Sequence, residues 1–335
     1  MATANTALEL RRVNKWFGPV HANRDISLSV GRGTIHGIIG ENGAGKSTLM
    51  SIVYGFYQAD DGEIFVNGAP CKIDNPQASI AAGIGMVHQH FMLVDTFTVL
   101  ENVILGVEGG SRLADGMDQA REELERLEKE YTLDVDVDAL VGDLPVGLRQ
   151  RVEILKALYR GAEILILDEP TGVLTPQEAD HLFRILNTLR DQGKTVILIT
   201  HKLREIMAIT DQVSVMRRGE MVAHVATNQT NQEQLAELMV GRSVLLRVEK
   251  EKAAPGDVLM EMRGVNYLDS DDVLRLKDIN LTLKAGEILG IAGVSGNGQS
   301  ELLEVLGGMI KPSDGSITYK GDELVGSPHY SARGL

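Results

Sequence analysis

Apolar and polar positions alternate from about Leu8 to Val30, in LELRRVNKW and DISLSV, and a period of two predicts a small antiparallel sheet. The runs TIHGIIG, AEILILD and KTVILIT are apolar without alternation, as in strands buried on both faces of a parallel sheet. A shorter apolar strand, IGMVHQ, ends at Gln89, and DDGEIFVNGAP, from Asp60 to Pro70, predicts a strand closed by an Asn-Gly turn. Between Phe91 and Arg160 the period becomes helical. VLENVILG is followed by DQAREELERLEKEY, with Leu124, Leu127 and Tyr131 on one face, and then by the amphipathic RQRVEILKALYR. Thr175-Pro176-Gln177-Glu178 is a capping box with proline at the first helical position and opens a helix through Arg190. QVSVMRRGEMVAH predicts a hairpin about Arg218-Gly219, and NQEQLAELMVG a helix. The whole reads as an α/β fold with a mostly parallel sheet, an N-terminal antiparallel β subdomain and a helical subdomain at about 90–160.

One stretch carries chemistry by itself. GENGAGKST, from Gly40 to Thr48, joins the strand TIHGIIG to an apolar helix through Tyr54, and Gly40-Glu41-Asn42-Gly43-Ala44-Gly45-Lys46-Ser47 fits G-x-x-x-x-G-K-[ST]. Gly43 and Gly45 permit backbone conformations in which successive N–H groups turn inward around an anion at the positive end of a helix. Lys46 would reach the β- and γ-phosphates, Ser47 would hold Mg²⁺, and Thr48 would bond the α-phosphate side. Asp168 and Glu169 arrive together at the end of a buried strand, where ligand sites of such sheets collect. There Asp168 would orient Mg²⁺ through water and Glu169 would polarise an attacking water. His201 ends a strand of the same sheet, so its imidazole could face the γ-phosphate. Trp16 and Phe17 are adjacent aromatics in a chain with 4% aromatic residues; one is a candidate to stack on a base, and packing into the sheet is the alternative.

Length and charge narrow the setting. With 335 residues and 43% apolar content, more than one domain is expected. A net charge of −14 argues against broad nucleic-acid binding, which needs a basic face. A single cysteine, Cys71, can form no internal disulfide and points to a reducing cytosolic compartment. Neither a signal peptide nor an apolar run of membrane length is present, so any membrane association would run through partners.

After a polar linker at about 243–257 the opening pattern returns. RDISLSVGRGTIHGIIGENGAGKST matches KDINLTLKAGEILGIAGVSGNGQSE, with Gly40 on Gly293, Gly62 on Gly315 and Gly68 on Gly321, all at one offset. The second loop keeps Gly293, Gly296, Gly298 and Ser300 but has Gln299 where the first has Lys46, and a neutral amide cannot bring that charge to phosphates. A first domain at 1–242 and the N-terminal part of a second at 258–335 are the expected organisation. The copy stops before any counterpart of Gln89, Asp168, Glu169 or His201, so the chain is expected to be cut within it.

In order and spacing, GENGAGKST, Gln89, LPVGLRQR, ILILDEP and His201 resemble the phosphate loop, Q-loop, signature, acidic strand and switch histidine of an ABC-type ATPase, a P-loop NTPase. The tandem arrangement, the Gln-bearing second loop and VGLRQRVEILKALYRGAEILILDEPTGVLTPQE look like the duplicated ATPase subunits of bacterial sugar and nucleoside importers, and most like the nucleoside branch. The resemblance implies two domains closing head to tail on two ATP molecules, each held between one phosphate loop and the opposite signature. It implies Phe17 as the base-stacking aromatic, with Trp16 as runner-up. Ser47, Gln89 and Asp168 would be the Mg²⁺ contacts, Glu169 the general base and His201 the γ-phosphate switch. It also implies transmembrane permease subunits, an extracytoplasmic solute-binding protein and a place on the cytoplasmic face of the membrane. Where the family signature is LSGGQ, this chain has Leu144-Pro145-Val146-Gly147-Leu148, and Thr175 stands where the family usually has an aspartate. Pro145 lacks both a hydroxyl and an N–H, so this signature, facing the loop of Gln299, is expected to form a degenerate site. The other expected reading is a soluble tandem ATPase acting on ribosomes or DNA. A P-loop GTPase is set aside because no N/T-K-x-D motif occurs.

Overall fold

The computed structural model describes residues 5–88, 91–106, 113–242, 254–293 and 296–324, with the backbone alone at 113–116. The chain divides into two compact units, Met1–Leu246 and Arg247–Leu335.

In the first unit the predicted alternation forms β1 (Thr6–Phe17) and β2 (Val20–Gly31), an antiparallel hairpin. Next come β3 (Ile35–Ile39), α1 (Lys46–Tyr54), β4 (Asp61–Val66) and β5 (Ala69–Pro70). The first sheet has the order β2-β1-β4-β5, and Asn67 and Gly68, at φ +51° and +80°, make the predicted turn. Then follow α2 (Pro76–Ala81), β6 (Ile84–Val87), α3 (Val99–Ile104), α4 (Leu113–Tyr131) and α5 (Val146–Tyr159). The unit ends with β7 (Ile164–Asp168), α6 (Pro176–Asp191), β8 (Thr195–Ile199), α7 (Leu203–Ile209), β9 (Gln212–Arg217), β10 (Glu220–Ala226) and α8 (Gln232–Val240). The second sheet has the order β10-β9-β3-β8-β7-β6; it is parallel from β9 to β6, and β10 is its antiparallel edge.

Every residue of β3, β7 and β8 is buried, which is why none of these strands alternates in sequence. Successive side chains serve two cores. Ile38, Ile166, Ile197 and Ile199 pack with Leu8, Leu10, Leu49 and Met50 beneath the first sheet and α1. Ile39, Leu165, Leu167 and Leu198 pack with Leu124, Leu127, Tyr131 and Leu155 of the helices. Each fully buried Leu or Ile contributes about 1.5–3 kcal/mol.

Two departures from the sequence pattern have local causes. Asn75 caps α2 by accepting the Ala78 N–H, and Pro76 fills the first helical position, a start signal in NPQASIAAG not anticipated as a helix. Residues 91–98 are not helical, because their backbone is held from outside. Met92 N–H donates to Glu153 Oε1 at 2.7 Å and Met92 O accepts from Lys156 Nζ at 2.9 Å, both from α5. Val94 is bracketed in the same way by the Asn102 amide, at 2.7 and 3.0 Å. Burial raises the Glu153 pKa and lowers that of Lys156.

His36 on β3 is 2% exposed; its Nε2 lies 2.7 Å from Ser214 Oγ, which lies 2.8 Å from His224 Nδ1. Burial, with His224 as a second cause, pushes the His36 pKa down to about 4. The unfolded chain takes up this proton near pH 6.5 and the folded chain only near pH 4. Stability should therefore be level above pH 6.5 and fall by about 3 kcal/mol between roughly 6.5 and 4 on account of this group. Urea unfolding at both ends of that window should show a smaller acid loss for His36→Gln than for the wild type; equal losses would remove His36 as the cause.

The second unit contains β11 (Val258–Leu268), β12 (Leu274–Lys284), α9 (Gln299–Leu306), β13 (Asp314–Tyr319) and β14 (Asp322–Glu323). Its sheet order, β12-β11-β13-β14, is that of the first sheet, with Lys320-Gly321 turning at φ +52° and +86° as Asn67-Gly68 does. Gly62 and Gly315 have φ +99° and +97°, and a Cβ on either would lie within 2.6 Å of the backbone of β1 or β11. Residues 288–292, which correspond to β3, form no strand, and Ile288 is 90% exposed. β3 is held on its two sides by β8 and β9, and no such partners flank 288–292 among the described residues.

Candidate active site

The glycine loop leaves β3 at Gly40, where a Cβ would lie 2.3 Å from Met216 O. Gly45, at φ +99°, is pressed against β2: its Cβ would meet Ala22 O at 2.6 Å, while Asn23 Nδ2 donates to Gly45 O at 3.1 Å. Gly219 N–H donates to Ala44 O at 3.0 Å, so the β9–β10 hairpin holds the loop from a third direction. No side chain caps α1, which leaves its first N–H groups facing the loop. Lys46 is 6% exposed and donates from Nζ to Gly40 O at 2.7 Å and Glu41 O at 3.1 Å. Burial lowers its pKa, and Glu169 and Asp168 oppose that shift.

Strand register brings the acids to the same edge. Ile38 pairs with Ile199, Ile199 with Asp168, and the Glu169 N–H donates to Ile199 O at 2.9 Å. Asp168 is 7% exposed; burial raises its pKa, a hydrogen bond from Ser47 lowers it, Glu169 raises it and Lys46 lowers it. Its buried Oδ1 has no hydrogen-bond partner. An orphaned carboxylate oxygen beside a serine hydroxyl suits a hard cation that takes few protein ligands, so these residues fit Mg²⁺. Glu169 stands at φ +48°, unusual for a residue with a long side chain, and its Oε1 lies 2.8 Å from His201 Nδ1. Together with Asn42, Gly43, Ala44, Gly45, Lys46, Ser47 and Thr48, Glu169 lines a cleft of about 670 Å³.

The same cleft is lined by His21, Arg24, Arg218 and Gly219, which sequence reasoning missed. Arg218-Gly219 was legible only as a turn, and nothing local says that it docks on residue 44. Trp16 and Phe17 are 42% and 41% exposed and sit opposite His21 and Val20 across the β1–β2 hairpin. Trp16 already has one face stacked on His21, 4.0 Å between centroids, whereas Phe17 meets Tyr57 edge-on at 5.2 Å.

The predicted signature residues do not line this cleft. Leu144 and Leu148 pack on the helical core, Pro145 is the N-cap of α5, and Val146 is its first residue. Gly147 is buried, with the site of a Cβ 2.8 Å from Glu178 Oε1. The Glu178 carboxylate accepts from Thr175 N–H at 2.8 Å and Thr175 Oγ1 at 2.9 Å, the predicted capping box. Gln89 lies outside the described residues. In the second unit, Gly296 and Gly298 have φ +86° and +90°, and α9 starts at Gln299 and Ser300. A Cβ on Gly293 would lie 2.0 Å from Gln299 Nε2, so the neutral side chain lies back along its loop toward Gly293, as Lys46 does toward Gly40.

Comparison with known proteins assigns the class. The family model of ABC transporters matches residues 23–172 and again 276–334, and the chain belongs to this family. Two solved ATP-binding cassettes of ABC transporters, one in an ADP conformation and one nucleotide-free, share its fold. Each is 26% identical, with TM-scores of 0.62 and 0.60; they cover 71% and 70% of this chain and 99% and 95% of their own. More particularly, the chain is similar to import ATP-binding proteins. It is 47% identical to the glucose import ATP-binding protein of Haloferax volcanii over 96% of its length, 48% to the nucleoside import ATP-binding protein of Lactococcus lactis over 93%, and 48% to the guanosine import ATP-binding protein of Bacillus subtilis over 95%. The chain spans 64%, 62% and 62% of those relatives, less than two thirds of each. No helix among the described residues is long and apolar enough to cross a membrane.

Proposed function

We propose that this chain is the ATP-hydrolysing part of an importer for a nucleoside or simple sugar. It would work with transmembrane permease subunits and an extracytoplasmic solute-binding protein at the cytoplasmic face of the membrane. The observation that carries the reading is the meeting of the Lys46 loop, Asp168 and the Glu169–His201 pair at one edge of the parallel sheet. The similarity to nucleoside, guanosine and glucose import proteins supports it over action on ribosomes or DNA.

In this reading the N–H groups of residues 43–48 and Lys46 Nζ bind the phosphates, while Phe17, with Lys15 Nζ 5.6 Å from its ring centroid and Trp16 as the runner-up already stacked on His21, stacks on the base. Ser47, Asp168 and Gln89 would hold Mg²⁺, which supplies charge neutralisation at the phosphates. Glu169 takes a proton from the attacking water, and His201 fixes the Glu169 carboxylate and contacts the γ-phosphate. The first domain is residues 1–242, the linker 243–257, and a second domain begins at 258. The loop of Gln299, lacking the lysine charge, and the signature with Pro145 make the second of two ATP sites degenerate.

The 335-residue chain should bind Mg-ATP through Lys46 yet turn it over at well under about 1 s⁻¹, the low end for enzymes, because closure on the nucleotide calls for an intact signature and the one these residues contain carries Pro145. Isothermal titration and a phosphate-release assay check this, and brisk turnover by the chain alone would count against the composite site.

A further inference from the structure

Glu205, in the first turn of α7, is 9% exposed, and its carboxylate serves two loops at once. Thr171 Oγ1 donates to Oε1, Thr200 Oγ1 donates to Oε2 at 3.2 Å, and Lys202 Nζ lies 3.3 Å from Oε1. Lys202 Nζ also donates to Thr171 O at 2.9 Å and Thr171 Oγ1 at 3.0 Å, closing the cluster. Thr171 follows Glu169 by two residues, and Thr200 and Lys202 flank His201.

An acid in the first turn of a helix is ordinarily explained by the helix, whose leading N–H groups it can accept. Its hydrogen bonds are not explained that way here, since the Lys202 N–H at the N-cap goes to Thr200 Oγ1 at 3.0 Å and no side chain caps α7. A buried carboxylate is costly unless its lone pairs are met. These are met by the turn after Glu169 and the turn around His201, beyond the last rungs of β7 and β8. Glu169 itself is held at φ +48°, a conformation that persists only where the surroundings over-determine it.

We infer that Glu205 is a positioning residue for ATP hydrolysis: through Thr171, Thr200 and Lys202 it fixes the turns that bring Glu169 Oε1 within 2.8 Å of His201 Nδ1. This rests on the ATPase reading above. Glu205 touches no substrate; it sets where the general base and the histidine stand, and a misplacement of about 1 Å there costs roughly a hundredfold in rate.

The test uses Glu205→Gln, the near-isosteric Thr171→Val, and Thr171→Ser, which restores the hydroxyl. In the full-length protein assembled with its membrane partners, Glu205→Gln and Thr171→Val should lower kcat by about ten- to a hundredfold with KM for ATP within about twofold, and Thr171→Ser should stay near wild type. Loss confined to KM or to the yield of folded protein overturns the inference. If the wild-type assembly hydrolyses no ATP, the ATPase reading fails, and the 335-residue chain still decides on Glu205. The side-chain ¹⁵N resonances of His201, assigned with His201→Gln, should move in Glu205→Gln and Thr171→Val and return in Thr171→Ser. Resonances unmoved by all three variants overturn it.

Discussion

Lys46→Ala should abolish measurable Mg-ATP binding, raising Kd by roughly two orders of magnitude or more, because two charge-assisted hydrogen bonds to phosphate are each worth about 1.5–3 kcal/mol. The effect on the nucleotide-free protein should be small. Lys46 is buried at a cost visible in its lowered pKa, and its Nζ contacts are two loop carbonyls rather than a carboxylate. Thermal unfolding separates the two effects. At a hundredfold excess of ligand over its wild-type Kd, Mg-ATP should raise the wild-type Tm by about 5–10 °C and leave that of Lys46→Ala where it was. A variant that kept the ligand-induced shift would show that the phosphates are bound elsewhere.

Glu169→Gln in the full-length assembled transporter should reduce ATP turnover by about a hundred- to ten-thousandfold, the range for removing a general base. The amide oxygen can still meet His201 Nδ1 at the 2.8 Å seen for the carboxylate, so the turn should keep its geometry. What the amide cannot do is take a proton from water. Mg-ATP affinity should therefore change by less than about threefold while steady-state hydrolysis collapses. Unchanged hydrolysis would remove Glu169 from the base role and turn attention to His201.

The sequence foretold the strands buried on both faces and the glycine loop that joins β3 to α1 because each is written in consecutive residues. An unbroken apolar run such as ILILD leaves no room for a solvated face, and G-x-x-x-x-G-K-S has few structural uses. Leu124, Leu127 and Tyr131 were legible through their spacing and are 0%, 5% and 4% exposed. What stayed hidden depends on approach between distant segments. Glu205 reads as an ordinary helical acid until Thr171 and Thr200 are beside it. Arg24 and Arg218 share a cleft only because Arg24 N–H donates to Gly219 O at 2.7 Å. Residues 91–98 were misread for a related reason. Their apolar content suits a helix, but α5 and Asn102 take the backbone groups that a helix would pair internally.

The double grip of α5 on residue 92 makes a strut. Glu153 and Lys156 lie on the same 14-residue helix, which starts at Val146 behind its N-cap Pro145, and a helix of that length is a rod of about 20 Å that scarcely compresses. A displacement of the segment at Met92 is resisted at both backbone groups of that residue by side chains of α5. The segment cannot slide over α5 without first breaking bonds to two ionisable groups, one of them 3% exposed.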